Sequence, residues 1–513
     1  MKSPIIILAF LASLPLLGQS HRVKQFSGEG QYSADQGHGY YKNPIFPGNY
    51  GDPSIVRIEA DYYMAFSRAN GVMIWHSQDL VNWRPVIRHR LPEGYNTVWA
   101  IDLQYFDGKF HIYMPIREYP NKGNKPFGNF VIRSSSVTGP WSDPIDLEIP
   151  IPEGDYSGID PGFIRTPSGD KYLYVNHGFA MKLDATGTKA VSVPEIVYNG
   201  WEFPHDWVVE CKCLESPKLF RRGDYYYLIS AQGGTSGPST AHMSVVARAR
   251  HPLGPWENSP YNPLTHTYSQ DEAFWHQGHG TVFEGVDGQW WTVYHGRLRN
   301  YTEMGRPTLL MPVEWTADDW PVVNNTYPSW GLIPKPAGKD VGHGMPLSDN
   351  FEGQEPAWQW YFANEKANLL DFGKGRLQMT ASGDDHREGT EVYNYAANKS
   401  YEIQVKVEQA GQDRVAGLRM GYDGIATDGR SVFFTEGPAW RTRRSIYPVD
   451  NTDGLWLKIK NYRKDLSFYY SIDGENWTKF SHSLRSHRSY RYSLVSAGSG
   501  AVDFKHFTYK GLE

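Results

Sequence analysis

The chain has 513 residues, too many for one ordinary hydrophobic core, so two or more domains are expected. A formal net charge of −5 gives no footing for a polyanionic partner such as nucleic acid, and no segment beyond the N-terminus reads as a membrane span. Aromatic residues make up 15% of the chain, Gly (51) and Pro (34) are plentiful and helix-period segments are scarce, which together read as mostly β.

The first twenty residues, MKSPIIILAFLASLPLLGQS, combine a lysine, an apolar run and a small-residue ending. They read as a cleavable signal peptide cut after Ser20, with a secreted or periplasmic, soluble mature protein. Next comes NPIFPGNYGDPSIV, which sets Asp52 in a Gly/Pro turn ahead of the strand phrase ADYYMAFS.

That phrase is the first of five. An acidic or Gly-Asp turn followed by an aromatic-rich strand recurs at Asp61, Asp107, Asp170, Asp224 and Asp287, with spacings of 46, 63, 54 and 63 residues. Each turn is a hairpin signal, and Trp-ending phrases at Trp83, Trp141 and Trp256 mark outer strands between them. About four short strands per repeat is the size of a propeller blade, so the reading is a five-bladed β-propeller. Upstream of the five turns stand Asp52 (nine residues), Asp102 (five), Asp160 (ten), Glu215 (nine) and His279 (eight). The first strand of every blade lines the axis, so residues at one offset in each repeat converge on a central pit. An Asp before Pro also caps turns, but several acids at one offset outweigh that reading.

Two carboxylates flanking a pocket suit glycoside hydrolysis, which needs one ionised and one protonated group. Asp52, beside backbone amides, suits the base. Glu215, in CLESPKLF, sits among apolar neighbours and suits the acid, with Asp160 nearby to raise its pKa by like-charge repulsion. Glu210 is a rival acid that lacks the following proline phrase. The two cysteines, Cys211 and Cys213, are too close for an unstrained bridge in most backbones and lack further metal ligands nearby, so two buried thiols are expected.

The phrases GDPSI, WAIDLQYFDGKFHIY, GIDPGF, LESPKLFRRGDYYYLISAQGGT, QGHGTVFEGVDGQWW and GRPTLLMPVEWTADDWPVV run in order from Asn43 to Val323. In this the sequence resembles glycoside hydrolase family 43, near its β-xylosidase and α-L-arabinofuranosidase branch. The resemblance implies a base at Asp52, a pKa-modulating acid at Asp160, a general acid at Glu215, and Arg306 reaching the substrate or the acid. It adds Trp99, Asp102 and His279 as substrate-binding residues. The chain departs from the family pattern at Gly51, where alanine or proline is usual, at Ile101 of Trp99-Ala100-Ile101-Asp102, and at Ser216 of Glu215-Ser216-Pro217. The loop FPHDWVVECKC is also unusual and leaves the sugar open. No cofactor is required and no metal ligand is assigned, although members of the family hold a hydrated calcium near this histidine. Calcium near His279 or in the C-terminal domain is therefore the open cofactor question.

After a Pro/Gly-rich stretch the texture changes. Strands such as SYEIQVKV, LWLKIKNY and VDFKHFTYKG read as a lectin-like (concanavalin A-like) β-sandwich over 346–513, following a catalytic domain over 21–335. It resembles the C-terminal sandwich of family 43 xylosidases. The expected function is an exported, inverting glycosidase that removes terminal xylose or arabinofuranose from plant polysaccharide or its oligosaccharides. The alternatives are a catalytically inactive glycan-binding propeller, or action on another sugar such as galactose or on internal arabinan linkages.

Overall fold

The computed structural model describes residues 31–512, except 69, 124–126, 152–155, 342–344, 355–358, 363, 384–388, 412, 422, 436–442, 450–453 and 486–489. The expected leader over 1–20 lies outside the described residues. Among them the secondary structure is strands and three short 3-10 turns, with no α-helix, and no helix is long and apolar enough to cross a membrane.

Five antiparallel sheets of four or five strands follow one another over residues 54–90, 96–146, 162–196, 211–266 and 274–323. Their strands pair mostly with sequence neighbours, as short polar turns between apolar strands dictate, with Asn96–Val98 added onto Lys109–Glu118 and Thr265–His266 onto Met243–Ala249. The turn at Asp107 and Gly108 has both residues at positive φ (50° and 72°), the conformation that matches the twist of the strands it joins. The strands after these turns are largely buried: Asp61–Arg68 and Lys109–Glu118 carry the aromatic and aliphatic phrases read from the sequence. This is a β-propeller, with the strands Ser54–Ile58, Asp102–Phe106, Gly162–Arg165, Cys211–Arg222 and Phe274–Glu284 leading their sheets.

Lys218 ties the inner strands together. Its buried ammonium donates to Ile101 O (2.9 Å), Asp102 Oδ1 (2.9 Å) and Pro161 O (3.2 Å). Asp102 also accepts from Ser54 Oγ (3.2 Å), Gln104 Nε2 (2.9 Å) and Phe163 N (2.9 Å). The ring is closed by the segment before the first sheet. Ile45 N donates to Thr308 O (2.9 Å), Thr308 N to Phe46 O (3.0 Å) and Tyr50 N to Arg306 O (3.0 Å).

The C-terminal part is a β-sandwich of a seven-stranded and a six-stranded sheet. Its strands alternate buried and half-buried residues, as in Ser400–Glu408 and Leu455–Tyr462, so one face of each sheet fills a shared core. The connection is bound to the propeller: Leu332–Pro334 pairs with Tyr40–Lys42, and Lys339 bridges to Gln78.

The two parts meet behind Asp52. The Arg68 guanidinium lies 4.3 Å from the Tyr50 ring centre and 4.4 Å from that of Tyr361. Tyr361 OH donates to Asn49 O (2.9 Å), and Arg88 Nη1 donates to Trp360 O (2.6 Å). Cation–π sandwiches of this kind are strong when desolvated. Tyr361→Ala should lower the unfolding free energy by about 3 kcal/mol, as large aromatic truncations do, whereas Tyr361→Phe, which loses only one hydrogen bond, should cost about 1 kcal/mol. Denaturant midpoints of the two variants check this, and equal midpoints would show that the ring carries nothing at the contact.

Candidate active site

The axial pit is built from Asp52 and Asp160, just ahead of their inner strands, and from Glu215 and His279, within theirs. Asp52, Asp160 and His279 all adopt left-handed backbone (φ 58°, 55° and 57°), and so does Ser216 beside Glu215 (φ 52°). Asp and Asn tolerate this region because their short polar chains bond locally, while a β-branched residue would not.

Asp52 is held by three groups. Arg306 donates Nη1 to Oδ1 and Nη2 to Oδ2, both at 2.7 Å, and the Nδ1 atoms of His279 and His295 lie 3.2 and 3.1 Å from Oδ1. Burial alone would raise this acid, but the Arg306 guanidinium outweighs it and holds the carboxyl well below its usual range. Gly51 explains the departure at that position. A Cβ there would lie 2.7 Å from Arg306 Nε, so the guanidinium occupies the place of a side chain.

Glu215 has the opposite environment. Burial, then the charges of Asp160 and Asp52, push its carboxyl well above the usual range. Asp160 is also raised, to about 7, by burial and the charge of Asp52, against the pull of Lys218. Ser216 N donates to Asp160 Oδ2 at 3.3 Å, which ties this acid to the strand of Glu215. One pit therefore holds a carboxyl lowered well below its usual range and two that are raised, Asp160 to about 7 and Glu215 well above its usual range, so that Asp160 carries its charge as the pH rises through 7 while Glu215 still holds its proton.

The structure brings Asp52, Asp160, Glu215, His279 and Arg306 together. Asp102 has another use. It is 2% exposed and its oxygens accept four hydrogen bonds from protein donors, which fills its acceptor sites. The expectation that it binds substrate is corrected to a structural one. Trp99 is 42% exposed and lies edge-on to Phe127 at 4.8 Å. Glu210 is bound away from the chemistry, its Oε2 accepting from Ser236 N (2.7 Å) and Gly237 N (2.9 Å). The expected thiols of Cys211 and Cys213 are instead a disulfide. Left-handed backbone at Cys213 (φ 41°) draws the two Cα atoms to 5.2 Å, within the range a bridge spans.

Sequence reasoning missed His242, His295 and Lys218. His295 ends the fifth aromatic phrase, DGQWWTVYHG, which was its one available signal. His242 stacks parallel on His295, with ring centres 5.2 Å apart, and neither of its nitrogens has a protein hydrogen-bond partner among the described residues. Burial lowers all three histidines, His279 to about 3 and His295 to about 4, so the imidazoles are neutral. Two groups offer ligand atoms close together, Asp52–His279–His295 and Glu215–His242–His279. Each supplies two nitrogens and one carboxylate oxygen. Calcium takes six to eight oxygens, so this donor set does not fit it.

The model of the glycosyl hydrolases family 43 matches residues 41–321. The chain is 32% identical over 358 residues to the non-reducing end α-L-arabinofuranosidase of Bacteroides ovatus, spanning 64% of this chain and 62% of that protein. It is 26% identical over 508 residues to the xylan 1,3-β-xylosidase of a Vibrio species, spanning 87% of this chain and 91% of that protein. Among solved structures, a family 43 protein of Bacillus licheniformis superposes with a TM-score of 0.77 at 25% identity, covering 92% of this chain and all of that one.

Two pH profiles test the electrostatics. Asp160→Asn removes a negative charge beside Glu215, so the Glu215 pKa falls and the alkaline limb of kcat/KM should move to lower pH; an unmoved limb would exclude Asp160 as the group that lifts Glu215. Gly51→Ala drives Arg306 off Asp52 and leaves burial to raise that acid. The acidic limb should therefore move to higher pH, and an unchanged limb would show that the guanidinium does not set the charge of Asp52.

Proposed function

Because the chain belongs to glycosyl hydrolases family 43, we propose that it is an exported glycosidase that removes terminal pentose units, xylose or arabinofuranose, from polysaccharide or oligosaccharide chains with inversion. One arrangement carries the chemistry: over the same pit the two-point contact with Arg306 holds the Asp52 carboxyl well below its usual range, while burial and the charges of Asp160 and Asp52 push that of Glu215 well above it. In inverting hydrolysis one carboxylate activates water on the face opposite the leaving group, while the other carboxyl protonates the leaving oxygen.

Asp52 Oδ2 meets Arg306 alone, whereas Oδ1 meets Arg306 and both histidines, so Oδ2 has the lone pair for the nucleophilic water. As water attacks the anomeric carbon its proton passes to Asp52. The bond from that carbon to the glycosidic oxygen breaks, and Glu215 gives its proton to the departing oxygen. One water is consumed and two sugar hydroxyl products leave, with Asp52 protonated and Glu215 ionised until solvent exchange resets them. Arg306 keeps Asp52 charged beforehand, and the neutral imidazoles add no positive charge that would pull the Glu215 proton away. The pentose assignment is supported by the names of the relatives, an arabinofuranosidase and a xylosidase. Export is supported by the leader-like first twenty residues.

A panel of nitrophenyl pentosides and hexosides, followed by proton NMR of the first-formed anomer, tests the reading. The expected result is turnover of a xyloside or arabinofuranoside with the inverted anomer appearing first; a retained anomer would overturn the single displacement. Asp52→Asn should lose at least about 100-fold in kcat, the scale of a general base. Glu215→Gln should spare nitrophenyl substrates far more than unactivated oligosaccharides, since only the latter need the proton.

A further inference from the structure

The loop that leads into the strand of Glu215 presents aromatic surface that the chemistry above does not use. The Trp207 indole lies parallel to the buried His266 imidazole, with centres 4.3 Å apart and planes 3° from parallel. Trp201 meets it edge-on at 6.0 Å and Tyr268 at 6.1 Å. Tyr268 is 67% exposed. Buried aromatic groups are ordinary core, but a stacked cluster that reaches solvent is surface kept for contact.

The cluster is fixed, and it is fixed beside the acid. Trp201 N donates to Gln232 Oε1 (2.8 Å) and Gln232 Nε2 donates back to Trp201 O (3.1 Å). Gln232 follows Ala231, the cross-strand partner of Glu215. At the other end of the loop Glu210 caps the turn at Ser236 and Gly237, and the Cys211–Cys213 bridge closes the entry into the strand of the acid. His266, under Trp207, is anchored through Nε2 to Thr240 O (2.9 Å). Both ends of the platform are thereby pinned to the sheet that carries the proton donor.

We propose that Trp201, Trp207 and Tyr268 form a stacking platform for a sugar ring on the leaving-group side of the scissile bond. This rests on the glycosidase reading, because a general acid hands its proton to the leaving oxygen and the leaving chain must then extend past Glu215. The occupant is a neutral oligosaccharide, whose sugar rings present apolar C–H faces to indole while their hydroxyls stay in water. The platform would make the enzyme favour chains over single glycosides and would set which backbone it accepts.

The test compares two leaving groups. A pentosyl fluoride has no ring to stack, whereas the matching tetrasaccharide does. In Trp207→Ala the ratio of kcat/KM for tetrasaccharide to that for fluoride should fall by at least about tenfold, the loss of one stacked aromatic contact, with Trp207→Phe recovering part of it. A ratio within about twofold of the wild type overturns the platform. Calorimetric titration of the Glu215→Gln protein with xylotetraose and arabinotetraose needs no turnover. There Trp207→Ala should weaken binding of the better ligand at least about fivefold, and an unchanged Kd, or no binding of either sugar before the substitution, overturns it. A wild type that hydrolyses neither pentoside would remove the pentosidase reading, while the titration still decides the platform.

Discussion

The pit depends on one buried ion pair, the two-point contact of Arg306 with Asp52. A buried pair of this kind repays its desolvation only when its geometry is good, and here both guanidinium nitrogens meet the carboxylate at 2.7 Å while the histidines crowd Oδ1 and leave Oδ2 to Arg306. Its consequence is electrostatic. Because Arg306 keeps Asp52 charged in a buried site, Asp52 acts on its neighbours as a negative charge and lifts both Asp160 and Glu215. Three acids of nearly the same intrinsic strength are thus split, Asp52 lowered and Asp160 and Glu215 raised, which is the asymmetry that acid–base chemistry requires. The pair joins residues 254 positions apart, so it exists only because the segment from Asn43 to Tyr50 is stitched onto the strand Thr308–Trp315.

The same stitching reaches the sandwich. Asn49 accepts from Tyr361 through its backbone oxygen and from Arg306 N through its side chain (3.2 Å). Tyr361 belongs to the C-terminal part, so a route of packed groups runs from the sandwich through Asn49 to the guanidinium on Asp52. The second domain therefore braces the turn that carries the ionised acid, and its contact residues matter to the pit even though none of those named here touches it. The left-handed residues of the pit add to this need. Non-glycine residues at positive φ carry strain, and they persist where surrounding structure over-determines them.

Much of this was legible in the sequence, for a physical reason: a propeller repeats one turn, so the aromatic strand phrases and the acids upstream of them recur at matching offsets and their convergence can be inferred from spacing. Asp52, Asp160, Glu215 and His279 were found in that way. What could not be read depends on contacts between repeats. His242 and His295 fall outside the shared offset, and Asp102 shares the offset yet spends its carboxylate on Lys218, Ser54, Gln104 and Phe163, a use visible only once the sheets are placed side by side. The Cys211–Cys213 bridge was misread because C-x-C is too short a span in ordinary strand backbone, and the left-handed residue that shortens it is a property of a bulge rather than of composition.

That bulge is one of two that bracket Glu215, and together they explain how one strand serves two purposes. Pairing runs from Cys211 opposite Gly233 to Glu215 opposite Ala231, then to Lys218 opposite Ile229, with a shift at each step. In a regular strand, residues three apart point to opposite faces, so Glu215 and Lys218 would be separated by the sheet. One extra residue between them cancels the alternation and lets both reach the neighbouring blade, Lys218 toward Pro161 and Glu215 toward Asp160. The amide freed by that insertion, Ser216 N, is not wasted but donates to Asp160. The irregularity thus places the acid, the lysine that joins the blades and the hydrogen bond linking the two acids in a single turn of chain, and a straight strand with the same residues would place only one of them.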